Sequence, residues 1–299
     1  MEKVRRRQDY KKQLLSGGWL FLLLLLGIAG MAAGYFWDLP IAAAVYNPDA
    51  VWARYLAAYG AAPCFWCLCL GGLLFFRISA DKNWLIKLVY WVMALGIFAV
   101  SIYKMADFIL EEFSFASVYM PYAIGAGVAL IPALLLYLLV HKNPEPQLER
   151  LAWFLVIACA GQVLLVQVIK HFWGRPRYFF LVSQDTVQFQ PWTMLDTTQK
   201  TAALASGALD SDFFKSFPSG HTAAGANMLC LVVLPLYCKS LRKGLPWIFI
   251  LAVVYTLVLA FSRMVLGAHF LSDVSAGFLV SLIVFWISYE VFIKRSFQK

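Results

Sequence analysis

The stretch GGWLFLLLLLGIAGMAAGYFW, residues 17–37, decides the architecture of this chain. It runs 21 residues without a charge, and about 20 apolar residues of helix are needed to cross the hydrocarbon of a bilayer. Comparable blocks recur along the 299 residues, giving eight expected spans: Gly17–Trp37, Gly60–Phe76, Trp84–Tyr103, Val118–Val140, Leu151–Ile169, Gly220–Cys238, Pro246–Phe261 and Leu271–Ile293. The expected fold is an all-α, polytopic transmembrane helical bundle. Composition agrees: 62% of residues are hydrophobic and 14% charged, against about 45–50% and 25% in soluble domains, and the mean hydropathy is +0.73. A soluble globule, a disordered chain and a nucleic-acid-binding domain are poor readings of such a sequence.

The basic start, residues 1–16, resembles the n-region of a signal peptide. The apolar run behind it exceeds the roughly 7–15 residues of a signal core, so a retained signal anchor is expected. Between the first two spans, Ile41–Tyr59 reads either as an interfacial helix or as a loop. With the N-terminus in the cytoplasm, cytoplasmic segments hold 16 of the 25 Lys and Arg residues and the opposite side holds 8. That bias supports this orientation and puts both termini inside. Lys170, Arg175, Arg177 and Arg263 nevertheless gather at helix ends on the face where basic residues are scarce, and orientation does not account for them. The six cysteines lie in or beside apolar blocks and read as small apolar fillers. Loops are short except Tyr178–Pro218, a 41-residue outer segment of the length that covers sites.

Of four histidines, His141 and His171 read as interfacial anchors. His221 follows Pro218-Ser219-Gly220 at the start of an apolar helix, where a serine cap and free backbone N–H groups attract anions. His269 and Asp273, if helical, are i and i+4 and share a face, so the carboxylate could accept a hydrogen bond from the ring, fix its tautomer and raise its nucleophilicity. An ionisable residue in a span is a functional candidate by default. Lys170, Arg177 and Arg263 are cations, two of them arginines suited to bidentate phosphate contacts. All these residues fall at one membrane face, and together they suit phosphoryl transfer.

The three ordered blocks Lys170…Arg177, Pro218-Ser219-Gly220-His221 and Ser262-Arg263…His269…Asp273 resemble the signature of the phosphatidic acid phosphatase type 2 superfamily, the membrane lipid phosphatases related to vanadium haloperoxidases. The last two blocks match in full; the first has Tyr178 where the family usually has Pro. The resemblance implies a six-helix core preceded or interrupted by two additional helices in the N-terminal half. It also implies His269 as nucleophile through a phosphohistidine, Asp273 as its orienter, and His221 as general acid and then base. Lys170, Arg177, Arg263, Ser219 and the Gly220 amide would hold the phosphoryl oxygens, with no metal and no cofactor, and Arg175 would contact a second phosphate or headgroup.

The expected organisation is a cytoplasmic N-terminus (1–16), N-terminal transmembrane helices (17–169), a catalytic region (170–293) with its long outer segment (178–218), and a cytoplasmic tail (294–299). The expected activity is hydrolysis of a lipid phosphate or pyrophosphate at the extracytoplasmic face of a cell membrane. The substrate would be of the phosphatidic acid, phosphatidylglycerol phosphate, polyprenyl pyrophosphate or lipid A type. No nucleic acid or obligate protein partner is implied. Lipid-to-lipid phosphotransfer by the same site is the nearest alternative. An anion transporter fits less well, because the charges sit at span ends rather than at the midplane, and a catalytically dead lipid-binding scaffold does not fit an intact histidine pair.

Overall fold

The computed structural model describes residues 17–205 and 210–294; the basic start and the end of the tail lie outside them. Among the described residues the secondary structure is helical throughout. The helices are α1 (Gly17–Val45), α2 (Val51–Tyr59), α3 (Ala62–Ile78), α4 (Trp84–Glu112), α5 (Met120–Val140), α6 (Glu145–Trp173), the short α7 (Tyr178–Leu181) and α8 (Thr198–Ala205), α9 (Gly220–Ala226), α10 (Leu245–Val265) and α11 (Leu271–Ser288). Among the described residues, seven helical segments are long and apolar enough to cross a membrane, and the protein is an integral membrane protein.

The sixth of the eight expected spans, Gly220–Cys238, is the exception. Gly220–Leu236 is a shorter apolar helix, α-helical over seven residues and 3-10 over the next ten. A 3-10 helix rises about 2.0 Å per residue against 1.5 Å in an α-helix, so the segment still reaches about 30 Å, a hydrocarbon thickness. Most other spans outrun their sequence limits: α1 continues through Pro40 to Val45 and α4 continues to Glu112. The Ile41–Tyr59 stretch resolves into the end of α1 and the separate helix α2, which buries Ala53, Ala57 and Ala58 and exposes Val51, Trp52 and Tyr55.

The bundle is built around α3, of which 78% of the spanning window is buried. Small residues bring the backbones together there, as is common between membrane helices. A Cβ on Gly71 would stand 2.7 Å from Val156 of α6, and one on Gly72 would stand 2.8 Å from Phe98 of α4. The hairpin α4–α5 packs on α3, α1 runs along α11, and α9 sits between α6, α10 and α11. Polar side chains also join helices inside the bundle: Asn227 donates to Gln162 at 2.9 Å. The cysteines are free, five of them buried. Cys67, Cys159 and Cys230, from three different segments, bring their sulfur atoms within 4.8 Å of one another, a convergence that linear spacing does not reveal.

Candidate active site

The end of α6, the starts of α9 and α11 and the end of α10 meet at one end of the bundle. Lys170 lies in the last turn of α6, buried to 8% exposure. Its Nζ stands 3.7 Å from where a Cβ on Gly220 would be, so the ammonium rests over the beginning of α9. Gly174, with φ 67°, then ends α6 in a left-handed turn that glycine adopts without steric cost. The chain beyond it presents Arg175 and Arg177. Ser219 caps α9, its hydroxyl accepting from the Thr222 N–H at 3.3 Å. The Ser219 N–H in turn donates to the Asp273 carbonyl at 2.8 Å. This junction needs Gly277, because a Cβ there would collide with the Ser219 carbonyl.

Arg263 is in the last turn of α10. Gly267, with φ 66°, reverses the chain after it, so that the Arg263 carbonyl accepts from the N–H groups of Ala268 (3.0 Å) and His269 (3.2 Å). His269 is 1% exposed. It lies in the connection between spans, where burial first, and then the charges of Lys170, Arg177, Arg263 and His221, hold its imidazole well below the ordinary value. The predicted phosphate-binding set and both histidines therefore share one pocket.

The arginines carry the most telling feature. Nε of Arg177, and Nε and Nη1 of Arg263, are buried with no hydrogen-bond partner among the described residues. Unpaired donors of that kind are expensive to bury, and both arginines are close enough to His221 and His269 for their charges to act on the imidazoles. The set is chemically matched to a tetrahedral oxyanion.

Three expectations are corrected. His269 and Asp273 do not share a helical face, because α11 begins at Leu271. Nδ1 of His269 is 3.9 Å from Asp273 Oδ2, outside hydrogen-bond range, and instead sits 2.6 Å from the Ser216 carbonyl. Asp273 reaches the histidine indirectly: its Oδ2 accepts from the Ser216 hydroxyl at 2.5 Å and from the Phe270 N–H at 2.8 Å. Arg175, expected at a second phosphate or headgroup, is fully buried and committed elsewhere. It donates to the Gln190 carbonyl (2.8 Å), Ser272 Oγ (2.8 Å), Asp273 Oδ1 (2.5 Å) and Asp38 Oδ2 (2.8 Å), with its guanidinium 4.2 Å from the Phe270 ring centroid.

Sequence reasoning missed Asp38, Ser216 and two supports of His221. Nε2 of His221 lies 3.0 Å from the Ala57 carbonyl of α2, and the Phe108 ring of α4 is 4.5 Å from the imidazole. A carbonyl leaves no compositional trace, and Phe108 is one of 24 phenylalanines; Asp38 could have been flagged as an acid beside an apolar run. The outer segment does lie against the site. The Arg177 N–H donates to the Phe213 carbonyl at 2.9 Å, and the Ser216 N–H donates to the Arg175 carbonyl at 3.1 Å. Asp212 on this segment is held below the usual carboxylate range: burial acts the other way, but Lys215, Arg177 and Lys170 outweigh it. His141 and His171, expected as anchors, lie outside this pocket, with His141 bonded locally to the Leu138 carbonyl at 3.1 Å.

The three blocks that build this pocket fall within residues 151–297, and the profile of the PAP2 superfamily matches that range. This region of the chain, residues 151–297, is similar to the PAP2 superfamily. Among curated PAP2 relatives, it is 37% identical over 93 residues to phosphatidylglycerophosphatase B of Bacillus subtilis, covering 28% of this chain. It is 36% identical over 127 residues to lipid A 4'-phosphatase of Rhizobium etli, covering 42% of this chain. Each match spans 43% of the relative's own length. No solved structure matches the chain significantly.

Proposed function

We propose that this protein is a metal-independent phosphatase of a lipid phosphate or lipid pyrophosphate, working through a phosphohistidine on His269. The single observation carrying the reading is the trio of buried, unpartnered arginine nitrogens on Arg177 and Arg263, set beside Lys170 and two histidines. The names of the PAP2 relatives, both phosphatases of lipids, support the same class.

With Nδ1 of His269 engaged by the Ser216 carbonyl, Nε2 is the atom left to attack. Its lone pair bonds to phosphorus as the bond from phosphorus to the leaving oxygen breaks. His221, whose Nε2 is engaged by Ala57, gives the proton on its other nitrogen to that oxygen. Water then attacks the phosphohistidine while His221 takes back a proton, and phosphate leaves with His269 restored. Lys170, Arg177, Arg263, Ser219 and the Gly220 amide hold the equatorial oxygens, where fixed cations and donors stabilise the spreading charge. Three cations supply the positive charge that a divalent metal provides in other phosphatases.

A lipid substrate is supported by an apolar cavity of about 470 Å³ between α1, α10 and α11, lined by Gly30, Ala33, Ala260 and Phe278 among others. Its lining includes Thr222, Met264 and Leu271, close in sequence to His221, Arg263 and His269, so a hydrocarbon chain seated there leaves its headgroup near the pocket. The charge bias supports a pocket at the extracytoplasmic face of a cell membrane, with both termini cytoplasmic. Residues 170–293 would then form the catalytic region, and the helices of 17–169 its support.

The test is phosphate release from a panel of lipid phosphates by purified protein, with and without EDTA. His269→Ala and His221→Ala are each expected to lower release by about 10³-fold while the thermal unfolding profile is kept, and EDTA to change nothing. Retained turnover in His269→Ala would refute the nucleophile, and loss of activity with EDTA would refute the metal-free scheme.

A further inference from the structure

We propose that Asp38, in the first membrane-spanning helix, is a positioning residue for His269 that acts through Arg175 and Asp273. This rests on the phosphatase reading above and assigns a role in it to a residue outside the matched region 151–297.

The chain of contacts is short and fully enclosed. Asp38 is 2% exposed, Arg175 and Asp273 0%, and His269 1%. Asp38 Oδ2 accepts from Arg175 and from the Ser272 hydroxyl, and its Oδ1 accepts from the Ser272 N–H at 2.9 Å. It therefore sits on the first turn of α11, where a carboxylate is favoured by the free N–H groups and the helix dipole. Arg175 carries the contact on to Asp273, and Asp273 to Ser216, whose carbonyl faces Nδ1 of His269. Gly34 makes the approach possible, since a Cβ there would stand 2.7 Å from the Ser272 Cβ and 2.8 Å from Asp38 Oδ1.

Charge is the reason a second carboxylate matters. His269 is faced by cations on nearly every side: Lys170 from α6, Arg177 after it, Arg263 from α10, and His221 from α9 when protonated. Asp212 on the outer segment and Glu111 on α4 face the cations Lys170, Arg177 and Arg263, whereas Asp273 is the carboxylate within 3.9 Å of the His269 ring, on which the phosphohistidine places positive charge. Arg175 alone would neutralise Asp273 one for one. Asp38 gives the guanidinium a second partner, so the buried group of two carboxylates and one arginine keeps a net charge of −1 behind the nucleophile.

The experiment compares wild type, Asp38→Asn and Asp38→Glu for kcat, KM and the pH dependence of kcat/KM on a lipid phosphate that the wild type hydrolyses. Asp38→Asn leaves Arg175 paired with Asp273, so no buried cation is stranded. It is expected to lower kcat at least tenfold, with KM within threefold. Removal of a negative charge makes His269 harder to protonate, so the acid limb is expected to move to lower pH. Asp38→Glu keeps the charge and is expected to keep the limb. Asp38→Ser, which removes the same charge and leaves a smaller hydrogen-bonding side chain, offers a second route if Asp38→Asn does not fold, and the same direction of shift is expected. Gly27→Ala, whose Cβ would press on Leu279 of α11 away from Asp38, controls for loosened α1–α11 packing and should lower thermal stability with the limb in place. An unchanged kcat in Asp38→Asn, or a loss with an unmoved acid limb, would reduce Asp38 to a helix tether and overturn the proposal. A wild type inactive on every lipid phosphate would overturn the phosphatase reading and this inference together.

Discussion

Lys170, Arg177 and Arg263 crowd positive charge around His269, which the proposed mechanism requires to be neutral when it attacks. Burial and those cations hold His269 well below its ordinary value, so the neutral form persists at and below neutral pH. The acid limb of kcat/KM assigned to this group is expected well below pH 6.5. Lys170→Met removes one repelling charge, which makes His269 easier to protonate and should move that limb to higher pH. A pH–rate series on the two proteins checks the direction, and a shift to lower pH would contradict the electrostatic account. At this scale the sequence was legible where a side chain announces its chemistry: Lys170, Arg177, Ser219, His221, Arg263 and His269 do lie together. It was misleading where helical register was assumed. The i and i+4 spacing of His269 and Asp273 suggested a direct bond, but the α11 boundary intervenes and a backbone carbonyl takes that place.

Helix ends set the geometry at the next scale. Two glycines with positive φ, Gly174 and Gly267, turn the chain after α6 and α10, placing the arginines beside the Ser219 cap. Hydropathy located all the long spans, yet it could not foresee that the stretch 227–236 winds as a 3-10 helix, because that choice depends on neighbours packed against it. Nor could it foresee that α1, α10 and α11 enclose an apolar cavity. Ala260 lines that cavity, and Ala260→Phe should fill part of it. Turnover of a long-chain lipid phosphate is expected to fall about tenfold or more, as for a pocket that loses room for several methylenes, with a short-chain analogue little affected. Equal losses on both substrates would detach the cavity from substrate selection.

For the whole molecule, the sidedness rests on charge counting. A reporter fused at Lys200 is expected to sit outside the cytoplasm and one at Lys243 within it; a cytoplasmic signal at Lys200 would invert the assignment. What linear reading could not supply at this scale is the dependence of the two halves on each other. His221 belongs to the PAP2 region, but the groups that hold its ring, the Ala57 carbonyl and Phe108, come from α2 and α4. Residues 151–297 cut free, or grafted behind the leading helices of another relative, would carry every signature side chain and still lack the clasp on the histidine proposed as proton donor. Transplanting the motif does not transplant the machine.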